Sequence, residues 1–331
     1  MARFTRFLLL GGSGISKCVP SHRFERFRQV RIKRIICITV ISAVGIGGVW
    51  AGGDLPSKFS NKRSIANTRH NMTQRHKSGG LNGALMDPYR NDYGDVCVYC
   101  HTPGSASTPG VQPEWNRTLK PTAYQTYDQL GTSSLTQMVS QPGANSQACL
   151  SCHDGQTAID SVIYMPGVDR FQLSQATSQD NAFLDTWNNS SGTDATKHLG
   201  LDAVGCLACH SPNAGIVGAG AADFTAAYLG TDLRNDHPVG VIYPAVNGVG
   251  TDFKRPFGQS GSTSFFDANS NGLLDKGDVR LYSESGVAQV ECGSCHDAHG
   301  VESAGAGSVF KPTFLRVLNT NSALCLTCHN K

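Results

Sequence analysis

The sequence predicts a mostly irregular fold, long loops with short α-helices, in which stacked, covalently held prosthetic groups form much of the core. Three observations point there. Five copies of Cys-X-X-Cys-His run through 331 residues. Apolar periodicity at helical spacing is weak, and Gly, Pro, Ser, Asn and Asp recur throughout, with 37 Gly and 14 Pro, so turns should outnumber regular elements.

The five motifs are Cys97, Cys100 and His101; Cys149, Cys152 and His153; Cys206, Cys209 and His210; Cys292, Cys295 and His296; and Cys325, Cys328 and His329. Two thiols on one short turn can form thioethers with the two vinyl groups of a single porphyrin, and the following imidazole then stands against the iron. This is the attachment signature of c-type haem. A lone Cys-X-X-Cys is equally half of a zinc site or a redox-active dithiol. Zinc ribbons use their knuckles in pairs, however, and five is odd; the βαβ context of a thioredoxin-like dithiol is absent.

Residues 52–331 carry one motif per 56 residues, too little chain to wrap a side-chain core around each cofactor. We therefore expect short helices around the motifs and few strands, in one pentahaem unit without an internal boundary. Successive first cysteines are 52, 57, 86 and 33 residues apart, so there is no fixed period and no solenoid. The longest interval, before Cys292, holds the most protein-like stretch, including Phe253, Phe257, Phe265 and Phe266. Segments 104–110 and 215–220 read as surface turns. By composition the chain resembles a disordered one, and without haem it is expected to be largely unfolded.

At the N-terminus, Arg31, Lys33 and Arg34 precede an apolar run from Ile35 to Val49 that ends in Val49-Trp50-Ala51. That pattern predicts a signal-peptide region over residues 1–51, compact if translation starts at Val30 from a GTG codon. An uncleaved anchor is the competing reading, since about 17 residues nearly span a bilayer; Gly45, Gly47, Gly48 and Ala51 favour cleavage, leaving no stable membrane span. Export suits the haem count, because c-type haem is attached outside the bacterial or archaeal plasma membrane. Of 12 cysteines, Cys18 and Cys37 lie in the leader and the rest in motifs, so none remains for a structural disulfide. Nine of the 28 Lys and Arg and one of the 25 acidic residues also fall in the leader, leaving 19 basic against 24 acidic side chains. A net charge of about −5, made more negative by haem propionates, argues against nucleic-acid binding.

Eleven histidines occur. Apart from His22 in the leader and the five motif imidazoles, they are His70, His76, His198, His237 and His299: five spare imidazoles for five irons, which predicts bis-histidine ligation. Met72, Met86, Met138 and Met165 are too few to supply methionine at every site. His299 follows His296 by three residues on a short turn, so it should cap a neighbouring iron rather than reach the far face of its own. Bis-histidine iron has no open position, which favours electron passage over bond chemistry.

Residues 267–278 reproduce the calcium-loop spacing of an EF-hand. Oxygen ligands fall at Asp267, Asn269, Asn271 and Asp275, Gly272 allows the sharp turn, Leu273 offers its carbonyl, and Asp278 closes the loop where glutamate is usual. The alternative is a polar turn rich in Asn and Asp. One structural calcium is expected, pinning the long loop before the fourth haem.

Val96-Cys97-Val98-Tyr99-Cys100-His101-Thr102-Pro103, Trp115-Asn116-Arg117, Cys149-Leu150-Ser151-Cys152-His153-Asp154-Gly155, Asn235-Asp236-His237-Pro238, Val279-Arg280-Leu281-Tyr282, Cys292-Gly293-Ser294-Cys295-His296-Asp297-Ala298-His299-Gly300 and Cys325-Leu326-Thr327-Cys328-His329 together resemble the outer-surface multihaem cytochromes of metal-reducing bacteria, nearest the tetrahaem OmcE type. The resemblance spans most of residues 65–331. It implies a continuous haem stack, extracellular filaments built from copies of the chain, and a distal ligand that a neighbouring subunit can donate. Two departures stand out. The motif at Cys206, with His198 before it, adds a fifth haem to a four-haem plan, and Gly104 stands where the family tends to place a histidine. His76 is the expected replacement, and His70 matches the family's N-terminal distal histidine.

The expectation is an exported, extracellular and filament-forming pentahaem conduit, not an enzyme, carrying electrons from redox partner proteins to external acceptors. A soluble periplasmic shuttle is the alternative. A multihaem oxidoreductase would show a substituted proximal ligand, such as Lys, or more motifs than spare ligands, and the sequence shows neither.

Overall fold

Three short α-helices coincide with motif cysteines: α1 (Ala144–His153), α2 (Cys292–Cys295) and α3 (Cys325–Cys328). The computed structural model describes residues 65–73, 89–91, 93–102, 115–165, 177–178, 198–214, 223–235, 238–284, 286–301 and 314–330, all within the unit Val49–Lys331. The leader, segments 104–110 and 215–220, Met86, His76 and His237 lie outside the described residues. The first motif closes as a single turn, and the third as the 3₁₀ turn Cys206–Ala208.

α1 starts from an extended Gly143 and stops where Asp154 donates its N–H to the Leu150 carbonyl at 3.0 Å. Gly155 then takes φ +75°, and a Cβ there would stand 2.6 Å from a Tyr228 ring carbon. Only glycine continues the chain at that point.

Regular strand structure concentrates in the interval before Cys292. β3 (Gly258–Ser260), β4 (Thr263–Phe266), β5 (Val279–Glu284) and β6 (Val287–Gln289) form an antiparallel meander in chain order, while β1 (Tyr164–Met165) and β2 (Thr177–Ser178) make a separate two-residue pair. Phe266 pairs with Val279 and Ser264 with Leu281, so alternation places Phe266, Val279 and Leu281 in one buried cluster with Tyr243. Leu324 and Cys328 of the fifth motif pack on the same cluster. β6 runs directly through Val290 and Glu291 into α2, so this sheet positions both the fourth and the fifth motif.

Elsewhere the side-chain core is divided. Tyr93, Val98, Tyr99, Val162 and Met165 cluster at the first motif; Tyr124, Leu150 and Leu233 at the second; Leu201, Cys206 and Leu207 at the third. A domain of this length ordinarily builds one contiguous core; here these three small clusters each hold up one motif, and the sheet serves the other two. Among the described residues, no helix is long and apolar enough to cross a membrane.

Candidate functional site

Each motif closes on itself in the same way. The N–H of the histidine donates to the carbonyl of the first cysteine, at 2.8 Å for His101, 2.9 Å for His210, 3.1 Å for His296 and 3.0 Å for His329; His153 ends α1 in the equivalent position. Both thiols and the imidazole therefore stand on one turn, the arrangement that two thioethers and a proximal ligand require.

A second chain segment braces each turn. His101 pairs as an isolated antiparallel bridge with Trp115, His296 with Leu315 and His329 with Phe253. In all three the carbonyl of the second cysteine accepts the next N–H, from Asn116, Arg316 and Lys254, each at 2.8 Å. At the other two motifs the histidine carbonyl accepts instead, from Leu229 at 2.9 Å for His153 and from Phe224 at 2.8 Å for His210. Sequence reasoning missed these braces, although Trp115-Asn116-Arg117, Phe253-Lys254-Arg255 and Phe314-Leu315-Arg316 share a signal, an aromatic two residues before an arginine.

The ten described cysteines are free thiols. Burial pushes Cys100, Cys206 and Cys328 up to about 12 and Cys295 up to about 11. Cys149 donates to the Asn145 carbonyl at 3.5 Å, and interaction with Cys292 together with burial raises Cys149 well above the ordinary thiol value, while the same pairing lowers Cys292. Redox-active dithiols depress a thiol pKa. Cys100, Cys206, Cys295 and Cys328 shift the opposite way, as thiols set against apolar surroundings do.

Of the spare histidines, His70, His198 and His299 are described. His70 Nδ1 lies 3.1 Å from the Ala298 carbonyl, His198 Nδ1 2.8 Å from Asp160 Oδ2, and His299 Nδ1 3.2 Å from Asp297 Oδ1. The motif ligand His153 has its Nδ1 2.6 Å from the Ala227 carbonyl. Holding Nδ1–H on an oxygen fixes the tautomer and the orientation of the ring, the arrangement that metal-ligating imidazoles use. Burial also pushes His70 down to about 4, with His153 nearby acting the same way, so its imidazole is neutral at physiological pH. The donor set therefore fits haem c. Two rings face each other across the first pair, His101 and His299, with centres 6.1 Å apart and planes 14° apart; His70 and His153 are also 6.1 Å apart, at 76°. Among the methionines, Met165 and Met72 pack in the Tyr93 cluster and Met138 is exposed.

Three buried charged residues missed in the sequence tie the motifs together. Arg117 donates to Ser151 Oγ and to the carbonyls of Ser151, Ala158 and Ile159, joining the brace of the first motif to the second. Arg316 reaches the Gly293 and Lys276 carbonyls and Asp297. Glu291 accepts from Gly143, Ser146 and Gln289 and caps α2 in a reciprocal pair with Ser294.

The 267–278 segment is the loop between β4 and β5. Gly272 adopts φ +80°, and Asp267 accepts the N–H groups of Asn271 and Gly272 at 3.2 and 2.7 Å. Asp275 Oδ2 accepts both side-chain amides, Asn269 at 2.8 Å and Asn271 at 2.7 Å. Buried Asp278 accepts from Ala268 and Asp275, and Leu273 is exposed. Partial burial acts to raise the Asp267 carboxyl, but hydrogen bonds from Gly272, Asn271, Ser270 and Asn269 outweigh it and hold the group low. Among the described residues, no three His, Cys, Asp or Glu side chains come together as ligands of one metal, here or elsewhere.

The family model of the doubled CXXCH motif matches residues 285–331, which hold the fourth and fifth motifs. No curated protein and no solved structure matches the chain. The paired motif is that of a multihaem c-type cytochrome, with covalently bound haem c and a part in electron transfer.

Proposed function

We propose that the chain is an exported pentahaem cytochrome that conducts electrons through closed bis-histidine sites to external acceptors and is not an enzyme. Haem iron supplies the one-electron chemistry. The chain's own residues would tether each group through two thiols and hold it with an imidazole from the same turn, and the spare histidines would supply the second imidazole. The observation that carries this reading is that every described spare histidine, His70, His198 and His299, has its Nδ1 committed to an oxygen, the contact that orients metal-ligating imidazoles.

Division of the side-chain core into four small clusters, set beside the first, second, third and fifth attachment turns, supports a core completed by stacked cofactors. Assembly of copies into filaments and an extracellular location rest on the family resemblance and on the leader. A single calcium in the 267–278 loop belongs to the same proposal: Asn269 and Asn271 turn their amide nitrogens toward Asp275, and a half-turn of each amide would present oxygen to an ion instead.

Mass spectrometry and electron paramagnetic resonance of the holoprotein test the proposal, with five haems per chain and low-spin iron at every site expected. High-spin haem that binds small ligands would overturn it. Electron microscopy of the same material tests assembly, with filaments expected.

A further inference from the structure

The tail of the fourth motif lies against the imidazoles of two other motifs. We infer that Asp297-Ala298-His299 completes the iron sites of the first two motifs: His299 is the sixth ligand opposite His101, and His70, held by the Ala298 carbonyl, is the sixth ligand opposite His153. This deepens the bis-histidine reading and rests on it.

Separation is the first ground. Two imidazoles on opposite sides of one metal each sit about 2 Å from it through Nε2, and each ring centre lies about 1 Å further out, so the centres should stand ~6 Å apart. Both pairs show 6.1 Å. Rotation of either ring about the nitrogen–metal–nitrogen axis leaves that distance unchanged, so 14° and 76° between planes are equally compatible.

The hydrogen bonds are the second ground. His299 Nδ1 is turned back onto Asp297 Oδ1, which also accepts the His299 N–H at 3.0 Å. Asp297 is itself held, since it accepts Arg316 Nη1 at 3.3 Å and its N–H donates to the Phe314 carbonyl at 3.0 Å. His70 is fixed from two sides, by Ala298 at its Nδ1 and by Phe314 stacked on its ring at 4.5 Å and 7°. His153 is fixed by Ala227. Asp297 is therefore a positioning residue, and Ala298 positions His70 across 228 residues of sequence.

The third ground is ligand number. Zinc and most structural metals take four protein ligands or nearly so, yet among the described residues neither pair gathers a third His, Cys, Asp or Glu. Two opposed imidazoles that gather no third side chain of these kinds suit a metal whose remaining positions come from a planar macrocycle. The sites are thus cross-stitched: the fourth motif carries its own proximal His296 while its tail finishes the first two.

The test uses holoprotein spin state by electron paramagnetic resonance, with haem content checked by mass. His299→Ala is expected to create one high-spin haem per chain in the full protein and none in a Cys97→Ser, Cys100→Ser background that lacks the first haem. His70→Ala is expected to do the same against a Cys149→Ser, Cys152→Ser background. A high-spin haem that persists when its assigned motif is gone, or no spectral change in the full protein, overturns the assignment. High-spin iron already present in the unsubstituted protein would instead overturn the bis-histidine reading, so the two failures are distinct. Should an alanine variant not load haem, His299→Met and His70→Met keep six ligands and should each move one of the five midpoint potentials positive, and that one shift should vanish with its assigned motif.

Discussion

The carboxylate of Glu291 and the hydroxyl of Ser146, 145 residues apart in sequence, meet in the protein interior and join the N-terminal ends of two motif helices. Ser146 Oγ also accepts the N–H of Cys292 at 2.9 Å, while Glu291 accepts the N–H of Gly143, the residue that starts α1. Free N–H groups at two helix starts are thus satisfied by one exchange of side chains. The same contact joins the helices that carry Cys149 and Cys292, whose thiols perturb one another.

Glu291→Ala leaves the donors of Gly143, Ser146 and Gln289 buried without their carboxylate acceptor, so it should destabilise the holoprotein by about 3 kcal/mol or more. Glu291→Gln keeps the shape but turns a donor toward donors, and should cost about 1–2 kcal/mol. Urea unfolding at unchanged m reads both values. A loss below about 0.5 kcal/mol for the alanine variant, within the scatter of ordinary surface changes, would show that the joint is not structural.

Arg117 makes four hydrogen bonds from a side chain that is 1 % exposed. Lysine cannot reproduce the planar fork, so Arg117→Lys should strand some of the carbonyls of Ser151, Ala158 and Ile159 and loosen the loop after α1. Amide exchange over residues 151–163 should accelerate by about tenfold or more, the equivalent of ~1.4 kcal/mol of local opening. Unchanged protection there, with the variant fully loaded, would count against a clamp.

The attachment turns were legible because their chemistry is local: five residues hold both thiols and the imidazole, and the histidine N–H closes the turn on the first cysteine. The partner rings of His299 and His70 were not, since spacing shows only that His299 cannot serve its own iron, and neither His101 nor His153 is near it in sequence. Glu291, Arg117 and Asp160 were invisible for a related reason. A buried charge reads as a surface charge until the groups that satisfy it, such as Asn91 and His198 on Asp160, are brought alongside. The sheet was half legible: Phe265 and Phe266 marked a protein-like interval, but the register that sends Phe266 to the fifth motif follows from pairing with Val279.

Calcium should stabilise the β4–β5 loop by mass action. At a free concentration about 100-fold above its dissociation constant the gain is ~2.7 kcal/mol, read as a rise in the thermal midpoint of the holoprotein and reversed by chelator. Asp267→Ala removes the first loop carboxylate and should abolish the calcium-dependent rise while leaving haem content unchanged. Identical melting with calcium and with chelator would refute a bound ion.

Tyr93 links the first motif's cluster to alkaline stability. Its side chain is fully buried, and its hydroxyl donates to the Asp160 carbonyl at 2.7 Å. Burial foremost, then the Asp160 charge, pushes the phenol well above its usual value, so the fold favours the protonated form. A folded pKa raised above the unfolded value of about 10 contributes stability that is complete below pH ~10 and is lost as pH rises beyond it, by up to about 1.4 kcal/mol per pH unit for one group. Tyr93→Phe gives up the hydrogen bond, at a cost of about 1 kcal/mol near neutrality, but also removes one group that must ionise on unfolding. Unfolding measured from pH 8 to 11 should therefore show the variant less stable at pH 8, with the gap closing above pH 10. A gap that stays constant across that range would mean Tyr93 ionises alike in both states, and the cluster around Asp160 would not be the source of the alkaline limb.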